Sequence, residues 1–223
     1  MLVLSQITGF NSIGVLPYIG YIGNASDASS ATTYTIAVTL GTKPWVIIGV
    51  VGRCNASART LNSATVDGVS ATVSYTSSTY LGLHAAIIVA NPNIGASVNI
   101  GLTFSGGMLG VAIVSYEAAG IVGTVVETVE DDTVASNAID VVTSAAIAAA
   151  RTVYLFLAFN GGDSRTCTWT NAGGEDSDFT FDGTRTCSSA SWYPTDANTM
   201  GTTNTVTFSG AASQATLMAV GWR

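Results

Sequence analysis

Tyr34, Ile36, Val38 and Leu40 alternate with Thr33, Thr35, Ala37 and Thr39. A period of two puts the first set on one face of a β-strand and the second set on the other. The same alternation returns at Val98, Ile100, Leu102 and Phe104. Two further stretches, Trp45–Val51 and Val153–Phe159, are apolar without a break. Both are much shorter than the ~20 residues a membrane helix needs and match central strands covered on two faces. Asp67-Gly68 between Ser63–Val66 and Ala71–Tyr75 marks a hairpin. Leu81–Ala90 and Leu109–Tyr116 complete a first set of predicted strands. A second set runs through Val125–Val129, Ala138–Thr143, Val153–Phe159, Cys167–Thr170, Thr186–Trp192, Thr203–Phe208 and Thr216–Trp222.

Thr-Phe-Ser-Gly occurs twice, at 103–106 and 207–210. Each copy ends an alternating strand and precedes a short apolar one that closes on an aromatic, Tyr116 or Trp222. Repetition at this scale indicates two related halves, about 25–120 and 121–223. The predicted fold is all-β: one jelly-roll-like sandwich of two antiparallel sheets over 25–223, with two tandem Ig-like sandwiches as the alternative. The junction Ala118–Thr124 has no proline or charge run, which favours the single domain. Residues 1–24 are apolar but irregular, with Gly9, Gly14, Gly20, Gly23 and Pro17. They read as a first strand or as an arm that docks on a neighbouring subunit. Ser144–Ala150 is alanine-rich and favours helix by propensity. The strand-like run that follows limits it to a short turn.

Composition narrows the function. Only 9% of the 223 residues are charged. Ser, Thr, Asn and Gly supply the polarity instead, which lowers the cost of drying a surface for contact. The net charge is −7 and the seven basic residues are scattered. Neither a phosphate-binding stripe nor a polybasic membrane patch is expected, so neither nucleic acid nor membrane is predicted as a partner. The N-terminus lacks the basic and apolar regions of a signal peptide. Synthesis in a cytoplasm is therefore expected.

Candidate chemistry is sparse. His84 is the single histidine and lies in an apolar run, as a hydrogen-bonded core residue would. No nucleophile elbow, Cys-x-x-Cys or phosphate loop accompanies it. No catalytic residue and no cofactor are predicted. Glu175, Asp176, Asp178 and Asp182 offer closely spaced oxygens in a glycine-rich stretch, a weak calcium candidate. Glu130-Asp131-Asp132 reads as a solvated turn between strands. Cys167 and Cys187 each end an Arg-Thr-Cys triplet on either side of that glycine-rich stretch. Two strands leaving it would set them side by side for a disulfide; the other reading is a pair of free thiols. Cys54 reads as an inert core thiol. Trp169, Trp192 and Tyr193 are candidates for a glycan platform or for core and contact packing.

Several of these strands, taken together, resemble a family. Tyr34–Val38, Leu40-Gly41, Trp45–Val50, Val66–Thr72, Val98–Gly106 and Gly110–Ile113 resemble a loose group of β-sandwich proteins among the structural genes of tailed bacteriophages. Thr168-Trp169-Thr170 and the closing Trp222-Arg223 are similar to the same group. The resemblance spans roughly 25–223 and rests on strand patterns and turn residues. It implies a non-enzymatic virion component: a capsid decoration, head fibre or tail-associated subunit whose partners are its own copies and other virion proteins. A carbohydrate- or receptor-binding module, recognising a host surface glycan, is the alternative.

Overall fold

The computed structural model describes residues 16–79, 81–144, 152–162, 164–194 and 202–223. These form fifteen strands and no helix. The first half contains β1 (Tyr18–Asp27), β2 (Ala31–Thr39), β3 (Trp45–Cys54), β4 (Leu61–Val66), β5 (Val69–Thr79), β6 (Gly82–Ala90) and β7 (Ser97–Ala119). The second contains β8 (Val125–Thr133), β9 (Ser136–Val142), β10 (Val153–Asn160), β11 (Cys167–Thr170), β12 (Gly174–Phe181), β13 (Arg185–Trp192), β14 (Thr203–Ala212) and β15 (Ala215–Trp222). Asp67 and Gly68 both take positive φ between β4 and β5, the tight hairpin their sequence predicts. Residues 145–150 of the short turn expected at 144–150, and residues 1–15 of the first strand or arm expected over 1–24, lie outside the described residues. Residues 18–24 belong to β1, a strand of the first half, antiparallel to β7.

Burial along each strand dictates the layering. β2, β4, β9 and β14 bury alternate residues, so each has one apolar face. β3, β6, β10 and β15 are buried on both faces. A strand of the second kind needs a layer on each side of it, which two sheets cannot supply. The expected two-sheet slab is therefore corrected to three hydrogen-bonded sheets stacked as four layers. An outer layer of β2, the start of β7 and β4 covers an inner layer of β1, the end of β7, β3, β6 and β5. That inner layer faces a second one, in the order β12-β13-β10-β15-β8. β11-β14-β9 covers the far side.

Three cores fill the gaps. Ile36, Val38, Ile100 and Leu102 meet Ile48, Val50 and Ile87 in the first. Ile47, Val51, Ile88, Val114 and Tyr116 meet Leu155, Leu157, Met218, Val220 and Trp222 in the middle one, the seam between halves. Phe156, Ala158 and Leu217 meet Ile139, Val141, Val206 and Phe208 in the third. The junction between halves is packed, with Ile121 buried and its carbonyl accepting from Trp45 Nε1 at 3.0 Å.

β5 and β7 each pass from the outer to the inner layer. β7 pairs with β4 and β2 early and with β3 and β1 late. The ring β3-β6-β5-β4-β7 thus closes into a five-stranded barrel. The second half repeats this pairing scheme. β1–β7, β2–β7, β3–β6, β3–β7, β4–β7 and β5–β6 correspond to β8–β15, β9–β14, β10–β13, β10–β15, β11–β14 and β12–β13. The β4–β5 ladder has no described counterpart between β11 and β12. There, Cys167 N donates to Asp178 Oδ2 at 2.6 Å.

The twin phrases do the same work in each half. Phe104 sits opposite Leu61 and Phe208 opposite Cys167, both rings in a core. Ser105 Oγ accepts from Thr60 N at 3.0 Å, and Ser209 Oγ from Thr166 N at 3.2 Å. A Cβ on Gly106 would lie 2.5 Å from Arg59 Nε, and one on Gly210 2.9 Å from Arg165 Nη1. Glycine there lets an arginine lie across the strand. Ser105→Ala and Ser209→Ala are each expected to cost about 1 kcal/mol by urea unfolding, since each strips one hydrogen bond from a backbone N–H. Equal costs would reflect the equivalence of the two sites.

Candidate functional site

Most chemistry-bearing side chains converge on the seam. His84, on β6, is buried with Thr216 Oγ1 of β15 at 2.9 and 3.0 Å from its two ring nitrogens. Phe159 meets it edge-on. Desolvation holds its pKa down to about 3, so the ring is neutral at neutral pH. The Tyr116 hydroxyl, from β7, hydrogen-bonds with Asp176 Oδ2 at 3.0 Å and Ser189 Oγ at 2.8 Å, from β12 and β13. Burial raises the Asp176 pKa, and burial with the nearby carboxylate raises that of Tyr116.

The seam's polar contacts come in reciprocal pairs. Asn24 Nδ2 of β1 donates to Ser177 Oγ of β12 at 3.0 Å. The equivalents of those strands in the other half, β8 and β5, are joined by Ser77 Oγ donating to Glu130 Oε1 at 2.8 Å. Tyr75 donates to the same carboxylate. Trp222 Nε1 donates to Ser74 Oγ at 3.1 Å. At one end Arg185 Nη1 holds Asp182 Oδ2 at 2.9 Å, with Arg53 of the other half 3.8 Å from the same oxygen. The two halves therefore meet as a twofold dimer would, through the same face of the same sheet.

The sequence candidates separate. Glu175 is exposed on β12, Asp176 turns to the seam, Asp178 to the Cys167 amide and Asp182 to Arg185. Among the described residues no group of carboxyl, thiol or imidazole side chains gathers as a metal would require. Glu175, Asp176, Asp178 and Asp182, the weak calcium candidate, therefore do not converge: the bulge between Glu175 and Ser177 turns Asp176 and Asp178 to different partners, and Asp182 lies past the end of β12. Glu130-Asp131-Asp132 is likewise part of β8, not a turn.

Cys167 and Cys187 are free, and the disulfide expectation is corrected. Cys167 belongs to the third core and Cys187 to the seam, on opposite sides of an inner sheet. Burial raises both thiol pKa values, and that of Cys54. The three aromatic candidates also diverge. Trp192 is 4% exposed against Tyr154, and Trp169 leans on Phe156 with Nε1 2.8 Å from Ser188 Oγ. Tyr193 meets the Tyr18 ring edge-on at 5.3 Å.

Where Tyr18 and Tyr193 meet, the seam opens as a groove of about 280 Å³, floored by Gly173, Gly174 and Asp176. Sequence reasoning missed Tyr18 because its strand alternates poorly. Comparison with known proteins finds no match to any family model, curated protein or solved structure at a significant level. Among the described residues no helix is long and apolar enough to cross a membrane.

The charge is divided between the halves in a way that composition alone conceals. Residues 1–120 carry Asp27, Asp67 and Glu117 against Lys43, Arg53 and Arg59, and so are neutral. Residues 121–223 carry the whole net charge of −7.

Proposed function

We propose that this chain is a non-catalytic structural component that works by surface contact, associating with copies of itself or decorating a larger shell or tube. The observation that carries the reading is the use made of its reactive side chains. His84, Tyr116, Asp176, Glu130, Asp182 and Arg53 bind one half to the other. Chemistry invested in rigidity suits a building block, and the Ser/Thr surface of the neutral half suits contact. The jelly-roll-like lineage and the virion setting, as capsid decoration, head fibre or tail-associated subunit, rest on the sequence resemblance. In this reading the chain takes no cofactor or metal, and neither nucleic acid nor membrane is its partner. Mass spectrometry of purified phage particles from a host carrying the gene tests it. A stoichiometric band supports the reading, and particles free of the chain refute it.

A second reading, host-glycan binding, is favoured by the groove between Tyr18 and Tyr193, where a carboxylate and open glycine backbone lie beside aromatic rings. A glycan array should then show binding that Tyr193→Ala abolishes with the melting temperature unchanged. An array blank for the wild-type chain removes the reading.

A further inference from the structure

Six described strands have a neighbour on one side only: β1, β2, β8, β9, β11 and β12. An open edge presents unpaired N–H and C=O groups that template pairing with another strand, and sheet proteins normally blunt it. Five of the six are blunted. β8 carries Glu127, Glu130, Asp131 and Asp132, and β12 carries Glu175, Asp176 and Asp178. β9 carries Asp140, and its pairing breaks between Thr207 and Ala212 of β14. β11 is four residues long. β1 has a bulge at Tyr21/Gly23 and is tied to β12 through Asn24.

β2 lacks the charges, and its one register shift with β7, between Ala31 and Thr33, is confined to its N-terminal end. Its nine residues, Ala-Thr-Thr-Tyr-Thr-Ile-Ala-Val-Thr, contain no charge, proline or glycine. Its register with β7 is unbroken from Thr33 to Thr39, so the strand is held straight. Thr33, Thr35, Ala37 and Thr39 are exposed. Beside its C-terminal half runs an open slot of about 290 Å³ lined by Asn24, Ala37, Val38, Thr39, Ser97 and Ser115, again uncharged.

We infer that β2 is a self-association edge and that its occupant is the β2 of a second copy. A twofold axis at Thr35 pairs the two strands antiparallel, Thr35 on Thr35, Thr33 on Ala37 and Ala31 on Thr39. Every opposed exposed side chain is small and neutral, so no like charges meet. The outer layers β2-β7-β4 of two molecules then become one continuous sheet. Charge partition selects a copy as the partner. The contact lies wholly within the half of each chain that carries no net charge, so the carboxylates of the second halves stay out of it. Contact through the β8 or β12 edge instead opposes carboxylates to carboxylates. The tyrosine at the centre of the strand, Tyr34, is anchored through Oη to Ser29 O at 2.8 Å, which leaves the edge preformed.

This inference rests on the contact-module reading, and its test is separable from particle analysis. Sedimentation velocity of the full chain from about 1 μM to about 1 mM spans moderate to weak association. Wild-type protein is expected to self-associate with little dependence on salt. Thr35→Lys places two lysines face to face at the axis and should weaken association about tenfold or more. Thr168→Lys, the same change on the exposed side of β11, should leave it intact. Hydrogen exchange of the wild-type chain gives a readout independent of any variant's folding: β2 amides should gain protection as concentration rises. A wild-type monomer at the highest concentration, Thr35→Lys associating as wild type does, or β2 exchange indifferent to concentration would each overturn the edge assignment. The decoration reading would still stand or fall on the particles.

Discussion

Acidification from pH 7 to pH 4 is expected to cost the fold about 3 kcal/mol through His84 alone. The native ring is held neutral by burial, with its pKa lowered from 6.5 to about 3. In the unfolded chain the ring binds a proton once pH falls below 6.5. From there down to about 3 the unfolded state holds more protons, so stability falls as pH falls, by about 1.4 kcal/mol per unit. The full contribution is present above 6.5. Asp176 acts in the opposite sense, because burial raises its pKa and the fold gains as it protonates. The comparison that isolates the histidine is therefore wild type against His84→Gln, by urea unfolding at pH 7, 5.5 and 4. The variant should show a flatter profile by about one proton across that window. Parallel profiles would mean that His84 reaches solvent in the native state.

Gly49→Val is expected to destabilise the protein by about 2–3 kcal/mol, near the upper end for overpacking. Gly49 lies on β3 between Ile47 and Val51, facing the seam. A Cβ there would sit 2.7 Å from Val114 Cγ2 and 3.1 and 3.2 Å from the Leu155 and Leu157 methyls. Two of those methyls belong to the opposing half, so the substitution wedges the inner layers apart. Leu155→Ala, which opens a hole in the same place, should cost about 2–5 kcal/mol alone. Combined, the two should cost less than their sum by about 1 kcal/mol or more, because each relieves the other. Strict additivity in chemical denaturation would show that the seam at Gly49 is not tightly packed.

The period-two pattern disclosed most strands and which of them lie deepest. Trp45–Val51 and Val153–Phe159 read as two-faced, and both belong to inner layers. Alternation says which side of a strand is dry; it does not say against what. The four-layer stack follows from pairing the dry faces of β3 and β6 with those of β10 and β15, a long-range match that no local window contains. Edge strands were harder. Glu-Asp-Ser-Asp in β12 and Glu-Asp-Asp in β8 have the composition of loops, yet the open side of an edge strand leaves room for charge, and Glu130, Asp131 and Asp132 keep their water there. The thiols misled for a related reason. Arg165-Thr166 matches Arg59-Thr60 in structure, each arginine lying against the glycine of a Thr-Phe-Ser-Gly phrase. The Arg-Thr at 185–186 has no such role, and the symmetry it suggests around Cys167 and Cys187 does not exist in space. Of the seam site, sequence located His84 as a core residue but gave no sign of Thr216, Tyr116 or Ser189 as partners.

A homodimer built on this seam would fall apart on dilution and would carry identical surfaces at both ends. Tethering the two units by the short segment after Ala119 makes their encounter first-order, so no fall in concentration separates them. It also releases the outer faces from having to match: one end can turn anionic while its twin stays electrically silent.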